Sequence, residues 1–156
     1  MTPRAEHQVT IDRPAEEVFA FLANGANNPR WQPPVIETTQ TDPTLGVNTR
    51  FHQTMRHPLG FKLPADYQIT TYEPGRELTL KTTSGGPVHP TQRYELTSTP
   101  DGGTVLRSMI EYQAHGLVRF ALPTLALLHP LFAWEASWID KARDAVSADT
   151  PRQAEC

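Results

Sequence analysis

Between Val35 and Ala114 the pattern is that of β-strands, in six segments. They run Val35–Thr41, Asn48–Met55, Lys62–Tyr72, Glu77–Thr83, Thr91–Thr99 and Thr104–Ala114. Short joins rich in Gly, Pro or Asp separate them. These are Asp42-Pro43, His57-Pro58-Leu59-Gly60, Glu73-Pro74-Gly75, Ser84-Gly85-Gly86-Pro87 and Pro100-Asp101-Gly102-Gly103. Parallel neighbours need a long crossover, and none of these joins provides one, so the run predicts consecutive antiparallel hairpins. A sheet built this way has one face that must be covered, and the two ends of the chain supply the cover.

At the N-terminus Val9 and Ile11 alternate with polar residues as a strand, and a helix follows directly. Asp12 is placed to cap that helix and Pro14 suits its first turn, where a missing N–H costs nothing. Val18, Phe19, Phe21 and Leu22 give it an apolar face, and Asn24-Gly25 ends it. Asn27-Asn28-Pro29-Arg30-Trp31 reads as a turn or a very short second helix. At the other end the pattern predicts a helix from about Leu122 to Ala148. With about 100° per residue, Leu128, Leu131, Phe132, Trp138, Ile139, Ala142 and Val146 share a stripe centred on Glu135. Ser137, Asp140, Lys141 and Asp144 fall opposite. Pro130 is expected to kink this helix or split it in two.

The 156 residues suit one domain, with 1–148 structured and 149–156 a polar, frayed tail. A formal charge of −3 without a Lys/Arg stripe argues against nucleic acid as a partner. The single cysteine, Cys156, permits no intrachain disulfide, and the first residues lack an apolar signal core, so a cytoplasmic location is expected. Leu117–Trp134 is apolar, yet Arg119, Pro123, His129 and Pro130 interrupt it, and no transmembrane segment is expected. Its first half has no charged outer face, so Phe120–Trp134 is expected to contact a second copy of the chain, a membrane surface or the ligand entrance. The six histidines are scattered without metal-ligand spacing, and neither a metal nor a phosphate or dinucleotide motif is read.

The order of these pieces resembles the START-like superfamily, and within it the polyketide cyclase/dehydrase-type branch often labelled SRPBCC. The carrying residues are Ile11, Pro14, Val18, Phe19, Phe21 and Leu22, then Trp31 and Pro33. Tyr72-Glu73-Pro74 before Glu77-Leu78, and Gly103-Thr104 opening the last strand, complete the match, which spans roughly Glu6 to Ala148. The resemblance implies an α+β helix-grip fold. In it a curved antiparallel β-sheet wraps around a long C-terminal α-helix and leaves an internal cavity. It also implies chemistry without a cofactor if the chain is an enzyme of cyclisation or dehydration. The superfamily also contains non-catalytic carriers of lipids and small molecules, sensors and partner-binding modules, and fold alone does not choose among them.

Strand parity names the candidate lining. Phe51, Gln53 and Met55 share a face; Tyr67 goes with Ile69, Gln92 and Tyr94 with Leu96, and Ser108 and Tyr112 with Leu106 and Ile110. Trp31, expected near the cavity by resemblance, and Phe132 on the helix complete the ligand-binding set. The lining is mostly apolar with neutral hydrogen-bonding groups, which fits a hydrophobic ligand: polyketide-like, aromatic or isoprenoid. Glu135 stands apart, because a carboxylate in an apolar stripe is costly to desolvate. Either it is a general acid or base working with the Tyr112 hydroxyl, or it is a structural carboxylate paired with a basic residue or reaching solvent.

Overall fold

A computed structural model describes residues 4–57, 59–84, 88–114 and 129–149, without the side chains of 88, 113–114 and 129–132. Its strands are β1 (Arg4–Ile11), β2 (Val35–Gln40), β3 (Arg50–Arg56), β4 (Lys62–Glu73), β5 (Glu77–Ser84), β6 (Val88–Ser98) and β7 (Thr104–Ala114). The helices are α1 (Ala15–Ala23), α2 (Asn28–Trp31), α3 (His129–Ala136) and α4 (Ile139–Ala148), with a 3-10 turn at Gly25–Asn27. The seven strands form one antiparallel sheet in the order β1-β7-β6-β5-β4-β3-β2. The expected hairpins are present in sequence, and β1 closes onto β7 because Ala5, Val9 and Ile11 need the same covered face as Leu106 and Ile110. Register shifts at Val35/Glu37, Asp66/Tyr67 and Ile69/Thr71 bend the strands, as bulges do, and the sheet curves around the C-terminal helix. This is the helix-grip arrangement.

Local chemistry sets the joins. Pro74 and Gly75 (φ 75°) make the tight turn between β4 and β5, where a positive φ favours glycine. Gly25 answers a different need: a Cβ there would lie 2.8 Å from Thr38 Cγ2 and 3.0 Å from Phe51, so only glycine lets the chain after α1 lie on β2 and β3.

One expectation is corrected. The residue preceding α1 is Pro14, and no side chain caps this helix; Asp12 lies too far back to do so. The kink expected at Pro130, the second residue of α3, turns on residues before His129 that lie outside the described ones, and a separate interruption falls at Ser137–Trp138. There the ladder tightens to three-residue spacing, with Trp138 N donating to Glu135 O at 3.1 Å and Asp140 N to Ser137 O at 3.0 Å. The Ser137 hydroxyl donates to Trp134 O at 2.6 Å, competing with the regular ladder in the way that bends helices. The predicted start of that helix, and most of the segment 120–134, lie outside the described residues.

The core sits between the sheet's concave face and α1 and α4. Ile11, Val18, Ile69, Leu78, Leu106 and Ala142 are fully buried there. Each large apolar side chain so buried contributes about 1.5–3 kcal/mol against exposure. Outside, Arg30 clamps α2 to the end of α4 through a two-pronged pair with Asp149 at 2.7 and 3.0 Å. His7 Nε2 meets Asp140 Oδ1 at 2.9 Å, tying β1 to α4.

Candidate functional site

Toward α3 the two layers part and leave a cavity of about 260 Å3. Alternate residues of β3, β4 and β5 face it, Gln53 and Met55, then Leu63, Ala65 and Tyr67, then Leu80 and Thr82, as strand periodicity dictates. Pro90 and Gln92 from β6, Asn28 and Gln32 from the N-terminal side, and Glu135 and Trp138 from the helical side complete its wall. A wider vestibule of about 610 Å3 adjoins it, bounded by Pro33, Pro34, Arg56, His57, Gly60 and Trp134. Met55, Leu63, Glu135 and Trp138 line both spaces and form the neck between them.

Polar groups gather at two places. On one side Asn28 Nδ2 faces Tyr67 Oη at 2.9 Å, Gln53 Oε1 at 3.2 Å and Thr38 Oγ1 at 3.4 Å, while Thr38 Oγ1 donates to Gln53 Oε1 at 2.9 Å. This knot joins α2, β2, β3 and β4, and it explains why the buried asparagine is tolerated. On the other side the Tyr112 hydroxyl donates to Glu135 Oε2, and Tyr94 Oη donates to Gln92 Oε1 at 3.0 Å.

Burial pushes the Glu135 carboxyl above its usual range; the Tyr112 hydrogen bond opposes this without cancelling it. Among the described residues no lysine, arginine or histidine pairs with it. Burial likewise raises the Tyr67, Tyr94 and Tyr112 phenols, and the neighbouring Glu135 raises the last two further. All three tyrosines are therefore neutral hydrogen-bonding groups at ordinary pH. The pair Glu135–Tyr112 can hold a proton at the cavity wall and pass it to a group placed against the carboxyl. Among the described residues no cluster of three or more His, Cys, Asp or Glu could hold a metal ion, and no helix is long and apolar enough to cross a membrane.

Of the residues named from sequence, Gln53, Met55, Tyr67, Gln92 and Glu135 line the cavity, and Tyr112 stands behind Glu135. Trp31, Phe51, Tyr94 and Ser108 are buried and absent from its lining. Phe51 stacks on Tyr67 with centroids 4.8 Å apart, and Trp31 meets Tyr94 edge-on at 6.0 Å. The side chain of Phe132 lies outside the described residues. Sequence reasoning missed Asn28 and Gln32 as site residues. It also missed Leu63 and Ala65, which the parity of Tyr67 was sufficient to find.

A family model described as polyketide cyclase/dehydrase and lipid transport matches residues 2–133. No curated protein matches the chain. Among solved structures, the Zhui aromatase/cyclase from Streptomyces sp. R1128 superposes with a TM-score of 0.73 at 12% identity, covering 98% of each chain. The di-domain aromatase/cyclase StfQ of the steffimycin biosynthetic pathway gives 0.75 at 13% identity, over 96% of this chain and 51% of that one. A protein from Thermus thermophilus gives 0.73 at 13% identity, over 96% of this chain and all of that one. At such identities the likeness concerns the fold.

Proposed function

Because the chain belongs to the polyketide cyclase/dehydrase and lipid transport family, we propose that its cavity takes up a hydrophobic small molecule, polyketide-like, aromatic or isoprenoid, in the cytoplasm. We assign Glu135 and Tyr112 to proton transfer on that molecule, in a cyclisation or dehydration that needs no cofactor. The observation that carries this reading is the placement of Glu135. It is a carboxyl with a raised pKa, unpaired with any cation among the described residues, set in the wall of a largely apolar cavity and backed by a phenol. Such a group is poised to give a proton to a ligand oxygen or take one from a carbon next to a carbonyl, while the wall holds a flexible ligand in one fold.

The test has two stages. A fluorescent naphthalene dye should bind one per chain and raise Tm through linkage; no binding would remove the reading altogether. With a substrate in hand, Glu135→Gln should keep dye affinity and fold while turnover falls by about 10²–10⁴-fold, the range of general acid–base contributions. Retained dye binding with unchanged turnover would move the protein to the non-catalytic carriers.

A further inference from the structure

The three glutamines in the cavity wall are not equivalent, and the wiring behind two of them determines which end of the amide faces inward. Gln53 Oε1 is held from behind by the Thr38 hydroxyl at 2.9 Å and the Asn28 amide at 3.2 Å. Gln92 Oε1 is held by the Tyr94 hydroxyl at 3.0 Å. The Tyr94 O–H has no other acceptor among the described residues and so favours the carbonyl end of Gln92, and in this arrangement each Nε2 is left without a partner among the described residues. Both side chains line the cavity, and neither nitrogen is among the sealed, unsatisfied polar atoms of the interior, so each touches open space. The two residues lie on β3 and β6, with β4 and β5 between them, and so on separate parts of the curved wall.

We propose that Gln53 and Gln92 determine ligand specificity, donating hydrogen bonds to two acceptor oxygens carried at separate positions on a compact ring. The inference rests on the cavity being a ligand site. Size sets the scale: at interior packing density a 260 Å3 cavity holds about 190 Å3 of atoms, enough for one or two rings. Chemistry sets the oxygens. An amide N–H facing a hydrocarbon loses its hydrogen bond to water and gains nothing, so ketone or quinone-type carbonyls are preferred over hydrocarbon of the same shape.

Duroquinone and durene test this, since they share a ring and four methyl groups and differ by two opposed carbonyl oxygens. Equilibrium dialysis of the full chain gives both dissociation constants for wild type, Gln92→Met and Gln53→Met. Each variant should weaken duroquinone about fivefold, the value of one net hydrogen bond, and leave durene within about twofold. Gln92→Met disturbs only the Tyr94 contact, so it carries the test if Gln53→Met, which also frees Asn28 and Thr38, fails to fold. An equal loss for both probes, or no loss for either, would overturn the inference and leave the cavity reading standing. The same holds if wild type takes durene and refuses duroquinone. If wild type binds neither probe, the cavity reading and the inference fall together.

Discussion

Leu78 and Leu80 project from one strand onto the same side of the sheet, two residues apart, and meet different surroundings. Leu78 is fully buried in the cluster that also holds Ile11, Val18, Ile69 and Leu106. Leu80 is partly buried and borders the cavity. The difference comes from what the helices deliver. α4 presents Ile139, Ala142 and Val146, which close against the sheet, whereas the last turn of α3 presents Glu135 beside Trp138. A small residue such as Ala142 brings layers together; a carboxyl with only a phenol for company holds them apart. One half of the interior is thus made for stability, and the other keeps space and polar groups that stability alone does not require.

That contrast can be broken by measurement. The largest effect should come from Leu78→Ala, which opens a void in the closed half and should cost about 2–5 kcal/mol in urea unfolding. Leu80→Ala only enlarges a space that already exists, so its loss should stay below about 1.5 kcal/mol, less than full burial of a leucine is worth; equal losses would erase the distinction between the halves. Next comes Glu135→Gln. Because burial raises the folded-state carboxyl above its ordinary value of 4.5, ionising it costs stability. That cost is absent below the unfolded-state value, grows as pH rises through the folded-state value, and is constant above it. The glutamine variant should therefore gain about 2–4 °C in Tm at about pH 8 and nothing at about pH 3.5. A gain of the same size at both pH values would show that ionisation is not the cause. Glu6 and Asp66 carry the opposite sign, since their lowered carboxyls lend stability that is lost as pH falls, so the comparison must be made variant against wild type at each pH. The smallest effect belongs to Arg30→Ala, which breaks an exposed pair outside both halves and should cost no more than about 1 kcal/mol, with little left at high salt.

The closed half was the legible half. Ile11, Val18 and Leu22 announce themselves by spacing, and the hairpin order follows from joins such as Glu73-Pro74-Gly75, because these signals are local in the chain. Glu135 was legible for the same reason, as a charged residue inside an apolar stripe. What stayed hidden depends on segments meeting. Asn28 looks like a turn residue until Thr38, Gln53 and Tyr67 arrive from three strands to occupy its amide. Parity puts Phe51 and Tyr94 on the cavity side of the sheet, yet it cannot say that the space begins one layer further along, since side-chain volume across the gap decides that. The tightening at Ser137 needed a hydroxyl to choose the Trp134 carbonyl over water, which no periodicity encodes.

The clamp between Arg30 and Asp149 has a practical corollary. Asp149 stands immediately after α4, and Arg30 shares its single helical turn with Asn28, which orients Gln53 and Tyr67. α2 therefore carries both the partner of the helix end and a residue of the cavity wall. Trimming the chain at 148 would remove Asp149 and leave Arg30 on α2 without this partner, although the change touches no residue of the cavity wall.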